Sequence, residues 1–536
     1  MKSIFKVNGK PFFTIGGQTH NSSTYSEDVM KKAWLGIEAL GLNTIAAPIC
    51  WGQIEPEEDL FDFSQIDMIL DGARKRNVKV VLLWFGTWKN GTSHYVPKWV
   101  KTQKERFVWA ETAQNIRTRT LSPLCEATKE ADKKAYLKVI EYLKKVNTDD
   151  VVLSVQIENE PGSIGTPRDY SKLGETAFSS NIPEELYDWL EKLSDCPIKR
   201  FWTENGSQKN GTWEEVFGIE ASPIFTSYYT AIYINEISKA GKEIYDIPTY
   251  VNVWIGEMYQ QIAGVDYPSG GPTTKTIDLW KFLTPDIDAI CPDIYLQDYI
   301  TFDALCEAYS RDDNIFYIPE SAPSVMNALN VFMAIEKHNL SGIHTFGIDS
   351  VVDKDGVLLE GAREWANTAK ILSSARPLIE KYLGTGKIYA VAQFEGSSGQ
   401  SFDFGDYIGK VTYSMPLDKQ FATNSWGFMD TYHREPEYFN VRGKGLIIYE
   451  GNGSFYLAGE GYKLVLIKKD TIEGMTTGVR QSVFLNTRHQ EYLSVSEGYF
   501  DEDDNFITVK ERCGDESDLG LWVHHDIGVV HVQMDN

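Results

Sequence analysis

Eight short apolar runs alternate with helical segments between residues 12 and about 384, and this alternation restricts the fold more than any other feature of the chain. None of the runs shows strict polar and apolar alternation, which is typical of strands buried on both faces of a parallel sheet. Eight is the number of strand and helix units that closes a (β/α)8 barrel, so the sequence predicts that fold. The predicted strands are Phe12–Ile15, Thr44–Pro48, Val78–Trp84, Val151–Ile157, Tyr250–Trp254, Ala289–Tyr295, Ile315–Pro319 and Gly342–Phe346.

The segments between these runs show the 3.6-residue period of amphipathic helices. In the first of them an apolar stripe ends just before Gly41, a residue suited to stop a helix. Residues 163–248 are longer than one crossover needs, and they predict an insertion after the fourth strand, with a helix near 222–240. The stripe consists of Met30, Ala33, Trp34, Ile37 and Leu40.

The pattern changes after about residue 384, where short Val, Ile, Tyr and Phe runs are broken by Gly, Asn and Asp. One hairpin is legible, because Asn452-Gly453 separates two apolar runs and suits a type I′ turn. We therefore predict a barrel catalytic domain at 1–384 and an all-β, sandwich-like domain at 385–536.

Charge and composition narrow the classes of partner. At 536 residues with a net charge of -24, the chain offers no broad positive field for nucleic acid or an anionic membrane surface. No segment reaches the roughly 18 uninterrupted apolar residues of a membrane span. Neutral sugars are compatible with this charge, and the 13% aromatic content can supply faces for them. Association into a homo-oligomer is left open by the sequence.

The cysteines and the N-terminus bear on the compartment. Six scattered cysteines form no C-x-x-C pair, which argues against zinc and thioredoxin-like sites and favours reduced, mostly buried thiols. The first ten residues lack the apolar region of a signal peptide. The expectation is a cytoplasmic protein, although a chain trimmed of its leader would look the same.

Two glutamates follow predicted barrel strands, and they indicate the chemistry. Glu160 ends the fourth strand in Asn159-Glu160-Pro161, and Glu320 follows the seventh in Pro319-Glu320-Ser321. Strands four and seven lie across the mouth of a barrel, so both side chains are expected in one cavity. Cleavage of an acetal needs a protonated and an ionised carboxyl group, and the pair therefore predicts glycoside hydrolysis.

Other candidates surround this pair. Asn159 is placed to reach the 2-hydroxyl of a sugar, and Tyr295 at the end of strand six is placed to hold Glu320 ionised. His20 either lines the ring pocket or packs structurally, and Glu55 either binds substrate or braces its loop. Trp254 favours a pocket wall or the core over a stacking platform.

The mechanism needs no cofactor, and no metal site is expected. His524, His525 and His531 have no acidic partner at metal-like spacing in the sequence. No nucleophile elbow, P-loop or dinucleotide fingerprint is present.

Several motifs carry a family resemblance. The strand Val155–Glu160 resembles the acid/base strand of family 35 β-galactosidases, and Trp51–Pro56 with Phe61-Asp62-Phe63 resembles a signature shared by families 35 and 42. The nearest resemblance is to bacterial family 35 enzymes with a C-terminal β domain. Both families belong to the retaining clan of (β/α)8 glycosidases.

By that resemblance Glu160 is the acid/base, Glu320 is the nucleophile, and Asn159 contacts the galactosyl ring together with Trp88, Lys89 and Asn90. The substrate class it implies is an oligosaccharide or another β-galactoside. Gln18 stands where relatives are expected to have Glu, and Pro161 stands where many have Tyr. Both positions bear on subsite specificity.

The main prediction is a retaining exo-β-glycosidase, a β-galactosidase above other sugars. Two alternatives remain at this point. One is an endo-acting β-glycanase of the same clan, which needs an open cleft. The other is a barrel that binds glycans without cleaving them.

Overall fold

The computed structural model of the chain describes residues 1–256, 261–414, 441–469, 492–518 and 520–535. It confirms the predicted fold class, a parallel α/β barrel followed by antiparallel sheets. None of the described helices is both long and apolar enough to cross a membrane.

Seven parallel strands form most of the barrel wall, in the order β6-β5-β4-β3-β2-β1-β7. Their side chains are buried almost throughout, which explains why the apolar runs do not alternate. The strands are β1 Thr14–Gln18, β2 Thr44–Cys50, β3 Lys79–Lys89, β4 Val152–Asn159, β5 Thr249–Trp254, β6 Ala289–Asp293 and β7 Gly342–Phe346. Two-stranded ladders pair Lys6–Val7 with Lys10–Pro11, and Trp109–Glu111 with Arg117–Leu121.

The prediction of a regular strand at 315–319 is wrong. This segment closes the ring between β6 and β7 through single parallel bridges, Ile294 to Ser321 and Ile318 to Ile343. Pro319 has no backbone N–H and cannot extend a ladder on both sides. The segment still carries Glu320 to the same end of the barrel as the other strand ends.

Helices surround the strands on the outer face. The predicted stripe is confirmed in the first of them, which buries all five apolar residues and ends at Gly41 in the left-handed region at φ 63°. The helices are Glu27–Leu40, Trp51–Ile54, Ser64–Arg76, Lys98–Thr102, Glu126–Val146, Lys172–Phe178, Glu184–Lys192, Pro197–Glu204, Trp213–Phe217, Ala221–Ile244, Ile277–Leu283, Tyr299–Tyr309, Asn327–His338, Arg363–Tyr382 and Asp515–Asp518. Short 3₁₀ turns lie at Gly218–Glu220, Ile348–Ser350 and Glu360–Ala362.

The segment after β4 carries five of these helices before β5 begins. They pack around an apolar cluster of their own, in which Trp202, Trp213 and Phe225 are buried. The last helix, Ala221–Ile244, also packs on Glu126–Val146 and so joins this cluster to the barrel. This helix includes residues 222–240, where the sequence predicts a helix.

Two antiparallel sheets follow the barrel and enclose a second apolar core, in which Ile447 and Leu457 of one sheet meet Val411 and Leu464 of the other. Their orders are β8-β11-β12-β17-β14-β15 and β9-β10-β13-β16. The strands are β8 Ile388–Ala392, β9 Gly399–Asp403, β10 Tyr407–Tyr413, β11 Lys444–Gly451, β12 Ser454–Glu460, β13 Tyr462–Lys468, β14 Tyr492–Phe500, β15 Phe506–Glu511, β16 Leu521–Trp522 and β17 Val529–Met534.

The predicted hairpin is confirmed between β11 and β12. Asn452 at φ 51° and Gly453 at φ 72° both adopt the left-handed conformation of a type I′ turn. The domain limits at 384 and 385, and the limits of the insertion, stay predictions.

Candidate active site

The carboxyl ends of the barrel strands surround a cavity of about 590 Å³. Glu160 after β4, Asp293 at the end of β6 and Glu320 each place a carboxylate oxygen within 4.8 Å of the other two. All three residues are at most 5% exposed. The cavity is lined by Asn21, Lys89, Asn90, Glu160, Trp254, Ile255, Gln261, Asp293, Tyr295, Leu296, Glu320 and Phe346.

The backbone at the end of β4 explains how two consecutive side chains reach the same site. Glu158 and Glu160 have φ values of 60° and 44°, the left-handed region that residues other than glycine rarely adopt. Normal strand alternation would send Asn159 and Glu160 to opposite faces. The turned backbone brings both toward the cavity. Strained conformations of this kind are concentrated at functional sites.

Glu320 is surrounded by hydrogen-bond donors. Gln18 Nε2 donates to Oε1 at 2.8 Å and Asn159 Nδ2 donates to the same oxygen at 3.2 Å. The Tyr295 hydroxyl donates to Oε2 at 2.7 Å. Three donors favour the ionised carboxylate. The negative charge beside it and burial raise the pKa of the Tyr295 hydroxyl, so this group stays a donor.

Glu160 has the opposite surroundings. Burial, followed by the charge of Glu320, raises the pKa of Glu160 to about 7, and the Lys89 ammonium opposes the shift. Its carboxylate accepts a hydrogen bond from Asn90 Nδ2. Glu160 therefore favours its protonated form near neutral pH, whereas the three donors around Glu320 suit a negative charge. This is the division of charge that acid catalysis of acetal cleavage requires.

A bulge in β3 positions the residues opposite Glu160. The pairing of β3 with β4 skips from Trp84 to Lys89, and the extra residues loop out of register. Glu158 accepts the backbone N–H groups of Thr87 at 3.0 Å and Trp88 at 2.6 Å, and Asp132 Oδ2 also accepts from the Thr87 N–H at 3.2 Å. Lys89 then directs Nζ to Asn159 Oδ1 at 2.7 Å.

A second buried carboxyl group supports Glu158. Asp132 accepts hydrogen bonds from Trp84 Nε1 at 2.9 Å, Thr87 Oγ1 at 2.7 Å and the Tyr233 hydroxyl at 3.0 Å. Burial and the adjacent Asp132 raise the pKa of Glu158 well above its usual range. Glu158 therefore favours its protonated form, outside the cavity.

Several residues predicted for the site do line the cavity or touch its carboxyl groups. Lys89, Asn90 and Tyr295 line it, and Asn159 bonds both Lys89 and Glu320. His20 packs edge-on against Phe346 of the cavity wall and pairs with Asp349 at 2.6 Å.

Two predicted residues do not reach the cavity. Trp88 is 1% exposed, packs on Tyr233 and donates to a backbone carbonyl, because its bulge position turns the ring into the core. Glu55 accepts from Trp51 Nε1 at 2.8 Å and from the Asp59 backbone N–H at 2.8 Å. Both of its carboxylate oxygens accept hydrogen bonds within its own loop, which they stabilise.

Asn252 and Asp293 were not identified from the sequence as parts of the site, and Gln18 was linked there only to subsite specificity. Gln18 donates a hydrogen bond to Glu320. The Asn252 side-chain oxygen, on β5, accepts the Glu160 backbone N–H at 2.8 Å. Asp293 completes the carboxyl cluster. Asn252 and Asp293 interrupt otherwise apolar strands, and that interruption is the signal that would have found them.

A group of potential metal ligands outside the cavity lies between the barrel and the sheets. The fold brings Glu460, which is more than 60 residues away in sequence, to His524 and His525, and Asp526 lies 3.6 Å from His524 and 3.4 Å from His525. Lys444 Nζ already lies 2.8 Å from Glu460, and His525 Nδ1 lies 2.5 Å from it. These contacts are those of a buried ion pair.

A barrel with paired carboxyl groups at its mouth is the arrangement on which glycoside hydrolases are built. Residues 19–221 match the family model described as β-galactosidase, glycoside hydrolase family 42. Residues 366–524 match a domain family of unknown function, DUF5597. These matches do not support the assignment to family 35 in particular, and point to family 42 within the same clan.

A curated relative is similar over part of the chain. A β-galactosidase from Xanthomonas manihotis is 28% identical over 176 residues, which are 31% of this chain and 26% of the relative. The chain thus spans about a quarter of the curated relative that it matches.

Solved structures are similar in fold. The catalytic domain of a β-amylase from Paenibacillus polymyxa has a TM-score of 0.51 at 14% identity, over 67% of this chain and 98% of that one. A catalytic mutant of Gan42B, a family 42 β-galactosidase from G. stearothermophilus, has a TM-score of 0.50 at 16% identity, over 72% of this chain and 59% of that one. At these identities the likeness concerns the fold.

Proposed function

We propose that the protein is a retaining exo-β-glycosidase that hydrolyses terminal β-D-galactosyl residues. Glu160 protonates the departing oxygen while Glu320 attacks the anomeric carbon. Glu160 then activates the water that hydrolyses the glycosyl-enzyme. The observation that carries the proposal is the approach of the Glu160 and Glu320 oxygens to within 4.8 Å, in opposite electrostatic surroundings.

The separation supports double displacement over inversion. Retaining enzymes hold their carboxyl groups about 5–5.5 Å apart, whereas inverting enzymes leave about 6.5–9.5 Å for a water molecule. Two carboxyl groups with oxygens within 4.8 Å leave little room for that water.

The substrate is inferred from two sources. The family model that matches 19–221 and the relative from X. manihotis both carry the name β-galactosidase. The cavity of about 590 Å³ has the size of a pocket for a small ligand, which favours removal of a terminal sugar over binding along a chain. Trp254 and Tyr295 are 37% and 41% exposed there and offer faces to the sugars.

A panel of nitrophenyl glycosides differing only in the sugar tests the specificity. The β-galactoside is expected to have the highest kcat/KM. A higher value for another sugar would contradict the galactose assignment and leave the mechanism standing. No hydrolysis of any member would favour a glycan-binding barrel, and cleavage of internal linkages in polysaccharides would favour an endo-acting glycanase.

Azide rescue tests the two carboxyl assignments separately. Glu320→Ala is expected to lower kcat by about 10⁴-fold, and azide is expected to restore turnover as the α-galactosyl azide. Glu160→Ala with a dinitrophenyl galactoside is expected to yield the β-galactosyl azide, because that leaving group needs no acid. The exposed Glu214→Ala serves as the matched control. Swapped product stereochemistry would exchange the two assignments.

A further inference from the structure

Asp293 is a third carboxyl group of the cavity, and the mechanism above does not use it. It ends β6, is 2% exposed, and has an oxygen within 4.8 Å of both Glu160 and Glu320. An ionised carboxylate in that place would be a third negative charge in one small buried site. Such a charge is unfavourable unless donors or cations surround it.

Asn252 determines which Asp293 oxygen is an acceptor. The Asn252 side-chain oxygen accepts the Glu160 backbone N–H at 2.8 Å, so its amide nitrogen is the end that remains to donate. That nitrogen donates to Asp293 Oδ2 at 2.7 Å. One side chain of β5 therefore links the acid on β4 to the carboxyl group on β6.

The other oxygen of Asp293 has no donor. Oδ1 is buried, and no N–H or O–H group in the described part of the chain reaches it. A buried carboxylate oxygen without a donor is costly, whereas a protonated Oδ1 is itself a donor that needs an acceptor. The neighbouring carboxyl group of Glu160, which has an oxygen within 4.8 Å of an Asp293 oxygen, is such an acceptor.

The charge balance of the cavity agrees with a neutral Asp293. Burial, then the charges of Glu320 and Glu160, raise the pKa of Asp293 well above its usual range, and Lys89 opposes them. One ammonium can balance one carboxylate, and Glu320 with its three donors is that carboxylate. The titratable groups that face Asp293 are Lys89, Glu160, Tyr250, Cys291, Tyr295, Tyr317 and Glu320.

We propose that Asp293 remains protonated through the catalytic cycle and is a positioning residue that donates a hydrogen bond from Oδ1 to Glu160. In the free enzyme the bond orients the acid toward the leaving oxygen. In the glycosyl-enzyme it stabilises the Glu160 carboxylate that has just lost its proton. The part played by Glu160 rests on the proposed function, whereas the protonation state of Asp293 does not.

Thermal unfolding tests the protonation state without any assay of activity. A carboxyl group whose pKa is raised by folding stabilises the fold below its unfolded pKa of about 3.9, and this contribution is lost as pH rises. Asn carries no such dependence. The Tm of Asp293→Asn minus that of wild type is therefore expected to grow by about 3 °C or more from pH 4 to pH 8.

The exposed Asp312→Asn is the matched control, and its Tm difference from wild type is expected to stay constant over the same range. A difference for Asp293→Asn that is flat, or that falls with rising pH, would mean an ionised Asp293 and would overturn the proposal.

The pH profile of kcat/KM tests the hydrogen bond to Glu160. Asn at 293 accepts from Asn252 through its oxygen and donates to Glu160 through its nitrogen, so kcat is expected within about threefold of wild type, with the basic limb unmoved. Asp293→Ala removes the donor to the charged form of Glu160. Its basic limb is expected to move to higher pH, with kcat at least about tenfold lower.

Two results would contradict this. A basic limb that moves to lower pH in both variants would mean that Asp293 contributes a negative charge. Equal loss of activity in both variants, with the limb unmoved, would mean that the residue only supports the fold. If Asp293→Ala does not fold, the Asn variant alone distinguishes these cases. A wild-type protein inactive on every glycoside would contradict the proposed function, and the unfolding experiment would then decide the state of Asp293.

Discussion

Glu160 and Glu320 are residues of the same type, and the surroundings that the fold gives them separate their protonation states. Glu320 receives three hydrogen bonds, from Gln18, Asn159 and Tyr295. Glu160 lies among other carboxyl groups and receives one side-chain donor, Asn90, in the described structure. The difference arises from neighbours on other strands and exists before any substrate is bound, and it supports the proposed roles of Glu160 as acid/base and Glu320 as nucleophile.

The raised pKa of Glu160 predicts the alkaline side of the pH profile. Since Glu160 must carry its proton to act as an acid, kcat/KM is expected to fall above about pH 7. In Glu160→Ala with a dinitrophenyl galactoside, this basic limb is expected to disappear, because no enzyme proton is then needed. Steady-state rates from pH 5 to 9 measure both. A limb near pH 7 that persists in the variant would belong to another group.

Tyr295 offers a test of the donors around the nucleophile. Tyr295→Phe removes the 2.7 Å hydrogen bond to Glu320 Oε2 and leaves the ring in the cavity wall. We expect kcat to fall by about 10- to 100-fold, as is usual for the loss of one hydrogen bond to a charged group. The double variant Tyr295→Phe with Phe346→Tyr has a hydroxyl elsewhere in the cavity wall. Its kcat is expected to stay as low as that of Tyr295→Phe alone. An unchanged kcat would show that the other two donors suffice.

Residue type and order along the chain were enough to predict that Glu160, Glu320, Asn159 and Tyr295 lie together, since each stands at a strand end that faces the cavity; their catalytic roles stay predictions. Hydrogen-bond donors that lie far from these residues in sequence could not be predicted in the same way. Gln18 is 302 positions from Glu320 in sequence, and only the closure of the barrel brings them together. The sequence also did not predict that the Trp88 and Glu55 side chains turn away from the cavity. Local packing sets these directions, and it leaves no periodic pattern in the sequence.

At the scale of elements, the bulge in β3 is an irregular part of the barrel wall, and it positions Lys89 and Asn90 at the site. It lets Lys89 pair with Asn159 although four residues intervene after Trp84. Gly86 lies within it, and an added Cβ there would fall 2.6 Å from Asp132 Oδ1 and 2.7 Å from Glu158 Oε1. The bulge and the buried carboxyl pair therefore depend on each other.

Glu158 is expected to tolerate a neutral isostere and no smaller residue. Glu158→Gln keeps one acceptor, for the Trp88 N–H group, while its amide nitrogen replaces the oxygen that accepts from Thr87. The Thr87 N–H group retains Asp132 Oδ2 at 3.2 Å, so stability should fall by only about 1 kcal/mol. Glu158→Ala leaves buried groups unpaired, and should cost about 2–4 kcal/mol and lower kcat more than tenfold as Lys89 and Asn90 shift. Denaturant unfolding and steady-state rates measure both. Equal damage from the two substitutions would mean that Glu158 works as an ionised group.

The regular elements were predicted well because burial on both faces leaves a pattern in the sequence, and seven of the eight expected strands are present. The bulge and the irregular segment at 315–321 left no such pattern. Both are defined by hydrogen bonds to residues on other elements, Glu158 in one case and the backbones of β6 and β7 in the other.

At the scale of the whole molecule, the barrel and the antiparallel sheets meet over buried charges. Lys444 of β11 is fully buried and pairs with Glu460 of β12 at 2.8 Å and with Glu364 of the helix Arg363–Tyr382. Asn367 of the same helix donates to Glu460 at 3.1 Å. Breaking a buried pair by removing one partner is strongly destabilising, so the charges make this junction specific.

Glu460 predicts how the molecule responds to acid. Burial alone would raise its pKa, but His525 and Lys444 lower it from 4.5 to about 2 in the folded chain. A carboxyl group of this kind contributes stability above its unfolded pKa, and that contribution is lost as pH falls through the folded value. The amount is about 3 kcal/mol between roughly pH 4.5 and pH 2.

Glu460→Gln removes that contribution at every pH. The variant is therefore expected to be less stable than wild type at pH 7, and the gap should narrow steadily below about pH 4.5 as wild type becomes protonated. Thermal unfolding followed by circular dichroism from pH 7 to pH 2.5 measures the gap, with the exposed Glu502→Gln as the control that should show none. A gap that stays constant to pH 2.5 would mean that the charge on Glu460 does not stabilise the junction between the barrel and the sheets.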